Sequence, residues 1–197
     1  MNKLEETVEI SGAALYNIVR HIIEKRSREA IGDLIGKKSN GNYLIGNAYP
    51  WVSAKTDYSN AGYGDHVARR WIIDMDKTLK FSGSRWSTVG QYHNAHYKKF
   101  EKREYIWQPD IDFFRGIMTS TEMEESIQIV GASRTKKYDN GNKPKRTTIH
   151  YAKKLRIHII NENRGHDIIL ASYKLTHDNI EELPLKRRKL KVVRIND

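Results

Sequence analysis

The chain has 197 residues, 38% of them hydrophobic, which suits one domain with a real core. It contains no cysteine, so disulfides, thiolate metal sites and cysteine nucleophiles are excluded. A formal net charge of +11 makes an acidic partner plausible, nucleic acid being the commonest.

The opening residues Met-Asn-Lys-Leu-Glu-Glu do not read as a signal peptide, and no apolar run approaches the length of a membrane span. A soluble, intracellular (cytoplasmic) protein is expected. Ser11 is a good N-cap, and Leu15, Ile18, Val19, Ile22 and Ile23 recur at one-stripe helical spacing. A helix over 12–26 is predicted, with His21 packing beside the stripe. Residues 30–35 form a short apolar strand with Gly32 and Gly36 as close-approach points. A polar turn over 37–42 leads to a returning strand at 43–49, which Pro50 ends.

Residues 52–64 read as an irregular loop. Val67, Trp71 and Met75 then mark a helix over 65–76, with His66 as a surface or capping residue. A strand over 84–92 ends at His93. A short helix follows at 112–118 and a buried strand at 127–132. Residues 147–160 pair with 167–175 as a hairpin. The domain is set at 1–180, and residues 181–197 form a basic tail whose apolar positions suit an edge strand. Lysine and arginine also gather at Lys98, Lys99, Lys102 and Arg103, at Lys136, Lys137, Lys143, Lys145 and Arg146, and over 186–191. These runs are solvated segments or, together, a nucleic-acid interaction surface.

The chemistry concentrates between Val89 and Asp112. His93 and His96 follow the strand end, and Asp110 and Asp112 open the next apolar segment. Imidazoles and carboxylates are the usual nitrogen and oxygen ligands of zinc, although a lone histidine pair also reads as polar residues of a surface loop. Glu29-x-x-Gly32-x-Leu34-x-Gly36 follows the opening helix. Val89-Gly90-Gln91-Tyr92-His93 and Asp110 come later, then Ile127-Gln-Ile-Val-Gly131. In this order the residues resemble the JAB/MPN (JAMM) metalloprotease family over roughly residues 5–175. The resemblance implies an α/β (α+β) fold with a mixed central sheet and flanking helices, the cytidine-deaminase-like JAB/MPN architecture. It further implies a Zn2+ ion on His93, His96 and Asp110, with Glu29 as general base and acid. The substrate would be the amide or isopeptide bond of a ubiquitin-like conjugate.

Three positions depart from the family. Its second histidine falls where this chain has Ala95, with His96 one residue late. Because i and i+3 face opposite ways on a strand, a bulge at Asn94-Ala95 is expected if His96 is to share the metal. Tyr97 replaces a proline, and Trp107 replaces the serine that helps hold the oxyanion. Asp112, two residues beyond Asp110 on a helix, should face away from it. Retained Glu29, His93 and Asp110 point to a zinc-dependent hydrolase. Ala95 and Trp107 point to a catalytically silent scaffold that binds a protein partner. The charge leaves a nucleic-acid-associated protein as a third reading.

Overall fold

The computed structural model describes residues 5–25, 30–51, 55–56, 61–62, 65–81, 85–95, 108–137, 149–151, 153–161 and 164–188. Its centre is helix α1 (Gly12–Lys25). Ser11 caps the helix: its Oγ accepts the Ala14 N–H at 3.0 Å and donates to the Gly46 carbonyl at 2.6 Å. Ala14, Leu15, Ile18, Val19 and Ile22 are buried, while Tyr16 and Arg20 face out. Each large apolar side chain of this stripe contributes about 1.5–3 kcal/mol by leaving water.

Strand β1 (Val8–Ile10) precedes the helix, and β2 (Ile31–Ser39) and β3 (Asn42–Pro50) follow it as a hairpin. Asn40 and Gly41 turn the hairpin with φ of 51° and 78°, the pair of left-handed residues that a type I′ turn requires. The polar stretch 37–39, expected in the turn, is strand instead. The Lys37 ammonium lies over the Trp86 ring and that of Lys38 over Tyr43, and Lys38 also pairs with Glu125 at 2.8 Å. A two-stranded ribbon, β4 (Lys55–Thr56) and β5 (Ala61–Gly62), occupies the segment expected to be irregular.

Helix α2 (Asp65–Phe81), β6 (Ser87–Asn94), helix α3 (Gln108–Thr121) and β7 (Glu125–Lys137) come next. The chain continues through β8 (Ile149–Tyr151), β9 (Leu155–Asn161), β10 (Arg164–Thr176), β11 (Ile180–Leu183) and β12 (Leu185–Arg187). One sheet runs β12-β1-β3-β2-β6-β7-β10-β9-β8, with β11 also beside β10. It is mixed: β1 lies parallel to both β3 and β12, and β6 parallel to β7. The Leu185 N–H donates to the Lys153 carbonyl at 3.0 Å, bringing β12 round to the start of β9. The sheet thus curls into a nearly closed barrel around α1.

Inside the barrel, the α1 stripe meets Ile10, Leu34, Ile45, Tyr92, Ile127, Ile168 and Leu170. On the outer face, Ile72 of α2 and Ile111, Phe114, Ile117 and Met118 of α3 cover Ile31, Val130, Ala171 and Tyr173. This is the mixed α+β sheet with flanking helices that the sequence predicts. Beyond residue 180 the chain adds β12 at one edge of the sheet, as the apolar positions of the tail suggest. The apolar residues of the supposed tail, Leu183 and Leu185, are buried in β11 and β12.

His21 packs as expected. It is buried in the barrel with Nδ1 2.8 Å from the Tyr92 hydroxyl. Burial, with help from the charge of Lys25, pushes the imidazole down to about 4 from its ordinary 6.5. The unfolded chain therefore takes up a proton as pH falls through 6.5, while the folded chain stays neutral until about 4. Stability is present above this window and lost downward through it, by on the order of 3 kcal/mol. Urea unfolding across the window is expected to show that loss, and His21→Leu combined with Tyr92→Phe to flatten it. An equal slope in the double variant would assign the effect to other groups.

Candidate functional site

Sequence reasoning placed the site at the end of β6. That strand lies between β2 and β7, with His93 opposite Ile31 on one side and Val130 on the other. Alternation turns Gln91 and His93 to the outer face and Tyr92 into the barrel. A polar row runs across the same outer face, one step back along the strands: Asp33, Gln91 and Gln128 are register partners. All three are fully buried. The Trp51 indole donates to Asp33 Oδ2 at 2.7 Å, and the Gln128 amide donates to Gln91 Oε1 at 3.0 Å and to Ser126 Oγ at 2.9 Å. A slip of one residue would turn these groups into the apolar barrel, so the row pins the register of the strand that carries His93. Sequence reading gave Gln91 and Asp33 no role.

Helix α3 begins earlier than expected, at Gln108, which sets Asp110 in its first turn. There the exposed N–H groups and the helix dipole favour a carboxylate. Phe114, one turn on, packs against the His93 ring at 5.1 Å between centroids. The result brings His93 and Asp110 together: Nε2 stands 3.4 Å from Oδ2. His93 is 4% exposed, and neither ring nitrogen has a hydrogen-bond partner among the described residues. Asp112 is exposed and accepts a bond from Gln108 at 2.8 Å, pointing away as expected.

The distance is informative. At 3.4 Å the pair is longer than a charge-assisted hydrogen bond, yet two ligands of one tetrahedral zinc stand about 3.3 Å apart. The donor types and spacing fit two vertices of such an ion. Among the described residues no group of three or more histidine or acidic side chains is arranged to hold a metal. Glu29, His96, Tyr97 and Trp107 lie outside the described residues, as does the side chain of His66.

Among the described residues, Asn94 and Ala95 show no bulge; residue 96 lies outside them. The Asn94 N–H donates to Ala30 O at 3.1 Å and the Ala95 N–H to Gly131 O at 2.6 Å, the alternating sides of a regular strand. Asn94 Oδ1 also accepts the Ala30 N–H, so the side chain expected to ease a bulge instead ties two strand ends together. Ala95 consequently faces the same way as His93 and packs into the outer core. Of the basic runs, residues 98–103, 143–146 and 189–191 lie outside the described residues, while Lys137, Lys186, Arg187 and Arg188 are exposed.

No family model matches the chain, and no curated protein matches it. Among solved structures it resembles the solution structure of protein DSY2949 from Desulfitobacterium hafniense, with a TM-score of 0.53 and 10% identity over 95% of this chain and 97% of that one. At that identity the likeness is one of fold, extending over nearly the whole of both chains.

Proposed function

We propose that the chain is a zinc-dependent amide or isopeptide hydrolase of the JAB/MPN (JAMM) type, acting on a ubiquitin-like conjugate. One observation carries this reading: buried His93 and partly buried Asp110 at ligand spacing, with no hydrogen bond to His93 among the described residues. The mixed sheet curled around α1, with α2 and α3 outside, supports the α/β class; the cytidine-deaminase-like JAB/MPN architecture belongs to the proposal and rests on the residue pattern alone. His93, Asp110 and His96 would hold the ion. Bound zinc supplies Lewis acidity, polarising the scissile carbonyl and acidifying water. Glu29 takes up the proton and later passes it to the leaving amine. Phe114 fixes the His93 ring, and the start of α3 fixes Asp110. With Trp107 in the serine position, one oxyanion donor is missing, and such a loss slows turnover by about 10²–10³.

Metal analysis of the purified protein tests the assignment. About one zinc per chain is expected, in line with a single site, and His93→Ala should lose it. Protein that takes up no zinc under saturating conditions would end the hydrolase reading.

A second reading, a silent scaffold for a protein partner, is favoured by Ala95. It occupies the outward position two residues after His93, where the resembled family has its second imidazole. Ala95→His separates the two. A scaffold should gain zinc binding from this change, whereas a chain already using His96 should gain little.

A further inference from the structure

A neutral imidazole carries its proton on one ring nitrogen and a lone pair on the other, and its neighbours decide which. His93 is buried, its Nε2 stands 3.4 Å from Asp110 Oδ2, and neither nitrogen has a hydrogen-bond partner among the described residues. With the proton on Nε2, the ring would face the carboxylate as a donor and hold no lone pair there for an ion. With the proton on Nδ1, the Nε2 lone pair is open to a cation shared with Asp110, and Nδ1–H needs an acceptor.

The sheet around His93 offers few acceptors. Its register partners Ile31 and Val130 and the outward neighbour Ala95 are apolar. Asp33 Oδ2 accepts the Trp51 indole, and Gln91 Oε1 accepts the Gln128 amide. Gln128 Oε1 is buried in a fully buried residue and has no hydrogen-bond partner among the described residues. Gln128 is the register partner of Gln91, which makes it the diagonal neighbour of His93 on the same outer face. Strand spacing and rise put their Cα atoms about 8 Å apart, a gap that a glutamine and a histidine side chain close together. Gln128 Nε2 donates back along β7 to Ser126 Oγ at 2.9 Å and across to Gln91 Oε1 at 3.0 Å. A planar carboxamide sets its oxygen and nitrogen on different sides, so this grip turns Oε1 forward, toward the row of His93. A buried donor and a buried acceptor left unpaired both cost stability, and joining them removes both penalties.

We infer that Gln128 is a positioning residue of the site: its Oε1 accepts the Nδ1–H of His93 and so keeps the Nε2 lone pair facing Asp110. The inference rests on the proposed hydrolase reading for the ion this lone pair serves, but the position of the proton is read without metal. Long-range 1H–15N correlation spectra of the metal-free full chain in mildly alkaline buffer report the tautomer, with His93 assigned through His93→Gln. The parent is expected to show the Nδ1–H form. Gln128→Met keeps the length of the side chain, removes the acceptor, and should switch His93 to the Nε2–H form. Gln128→Glu keeps an acceptor and should hold the Nδ1–H form. Zinc affinity, measured by competition with a chelator, should fall about 10–100-fold in Gln128→Met and recover in Gln128→Glu. Ser172→Ala removes an equally buried hydrogen bond on β10 and should move neither readout. The inference is overturned by an Nε2–H parent, by a tautomer that Gln128→Met leaves in place, or by full zinc affinity in that variant. Should Gln128→Met not fold, the parent spectrum still decides. A parent that takes up no zinc, yet shows an Nδ1–H form that Gln128→Met switches, ends the hydrolase reading and leaves Gln128 as the residue that sets the proton.

Discussion

Gly90→Ala is expected to leave little folded protein. A β-carbon at this position would lie 1.8 Å from the Ile127 carbonyl oxygen and 2.6 Å from the Ile127 nitrogen and carbonyl carbon. The obstacle is the backbone of β7, which cannot retreat without breaking the parallel pairing that sets His93 beside Val130. An overlap of this kind belongs with the rare substitutions that cost more than about 4 kcal/mol, against a total stability of about 5–15 kcal/mol. Circular dichroism and urea unfolding of the purified variant check the expectation. A variant within about 1 kcal/mol of the parent would mean that β6 and β7 do not meet at Gly90.

Glu29→Gln should cut hydrolysis of a lysine-linked isopeptide by about 10²–10⁴, the share usual for a general base. Zinc content should not change. The glutamine keeps the shape of the side chain and loses only its ability to accept a proton. Ala30, the next residue, is bonded to Asn94 through both its N–H and its carbonyl, so this strand end is fixed one residue from His93. Undiminished turnover in the variant would remove Glu29 as the base. Loss of zinc together with activity would recast it as a ligand.

Local signals were legible where the residues themselves carried them. The α1 stripe and its Ser11 cap gave the helix to within one residue, since both depend on positions three and four apart. The hairpin was visible too, but its turn was set too wide. Lysines at 37 and 38 look like loop residues until Trp86, distant in sequence, and Tyr43, across the hairpin, lie beneath them. Strand β7 continues to Lys137, well past the expected end at 132. Its last residues, Ser133 to Lys137, are polar on both faces and pair with β10, so their sequence no longer reads as a core strand. β1, three residues long, holds too little pattern to register, whereas the apolar positions of the tail did suggest an edge strand, where β12 lies.

The site divides the same way. His93 and Asp110 were found because they open and close one chemically dense stretch, and the structure puts them 3.4 Å apart. The supposed bulge was argued from spacing alone. Hydrogen bonds from Asn94 and Ala95 to different neighbouring strands keep these two residues in a regular strand. The buried row of Asp33, Gln91 and Gln128 was beyond sequence reasoning, because its members come from three strands and meet only through register.

The pairing of Val8 with Leu185 governs how this protein can be finished during synthesis. β1 gains one neighbour, β3, as soon as residues 43–45 have emerged, but its other flank has nothing to bond until residues 185–187 are made. A nascent chain therefore exposes an unpaired edge beside an almost complete apolar interior, the kind of surface on which chains stick to one another. Closing the ring late, between such distant segments, also makes folding slow relative to a protein built from neighbouring contacts. A circular permutant that begins at β12 and reaches β1 through a crossover linker of about a dozen or more residues, as parallel neighbours require, would remove that delay while keeping every strand neighbour, and it should fold faster and aggregate less at equal concentration.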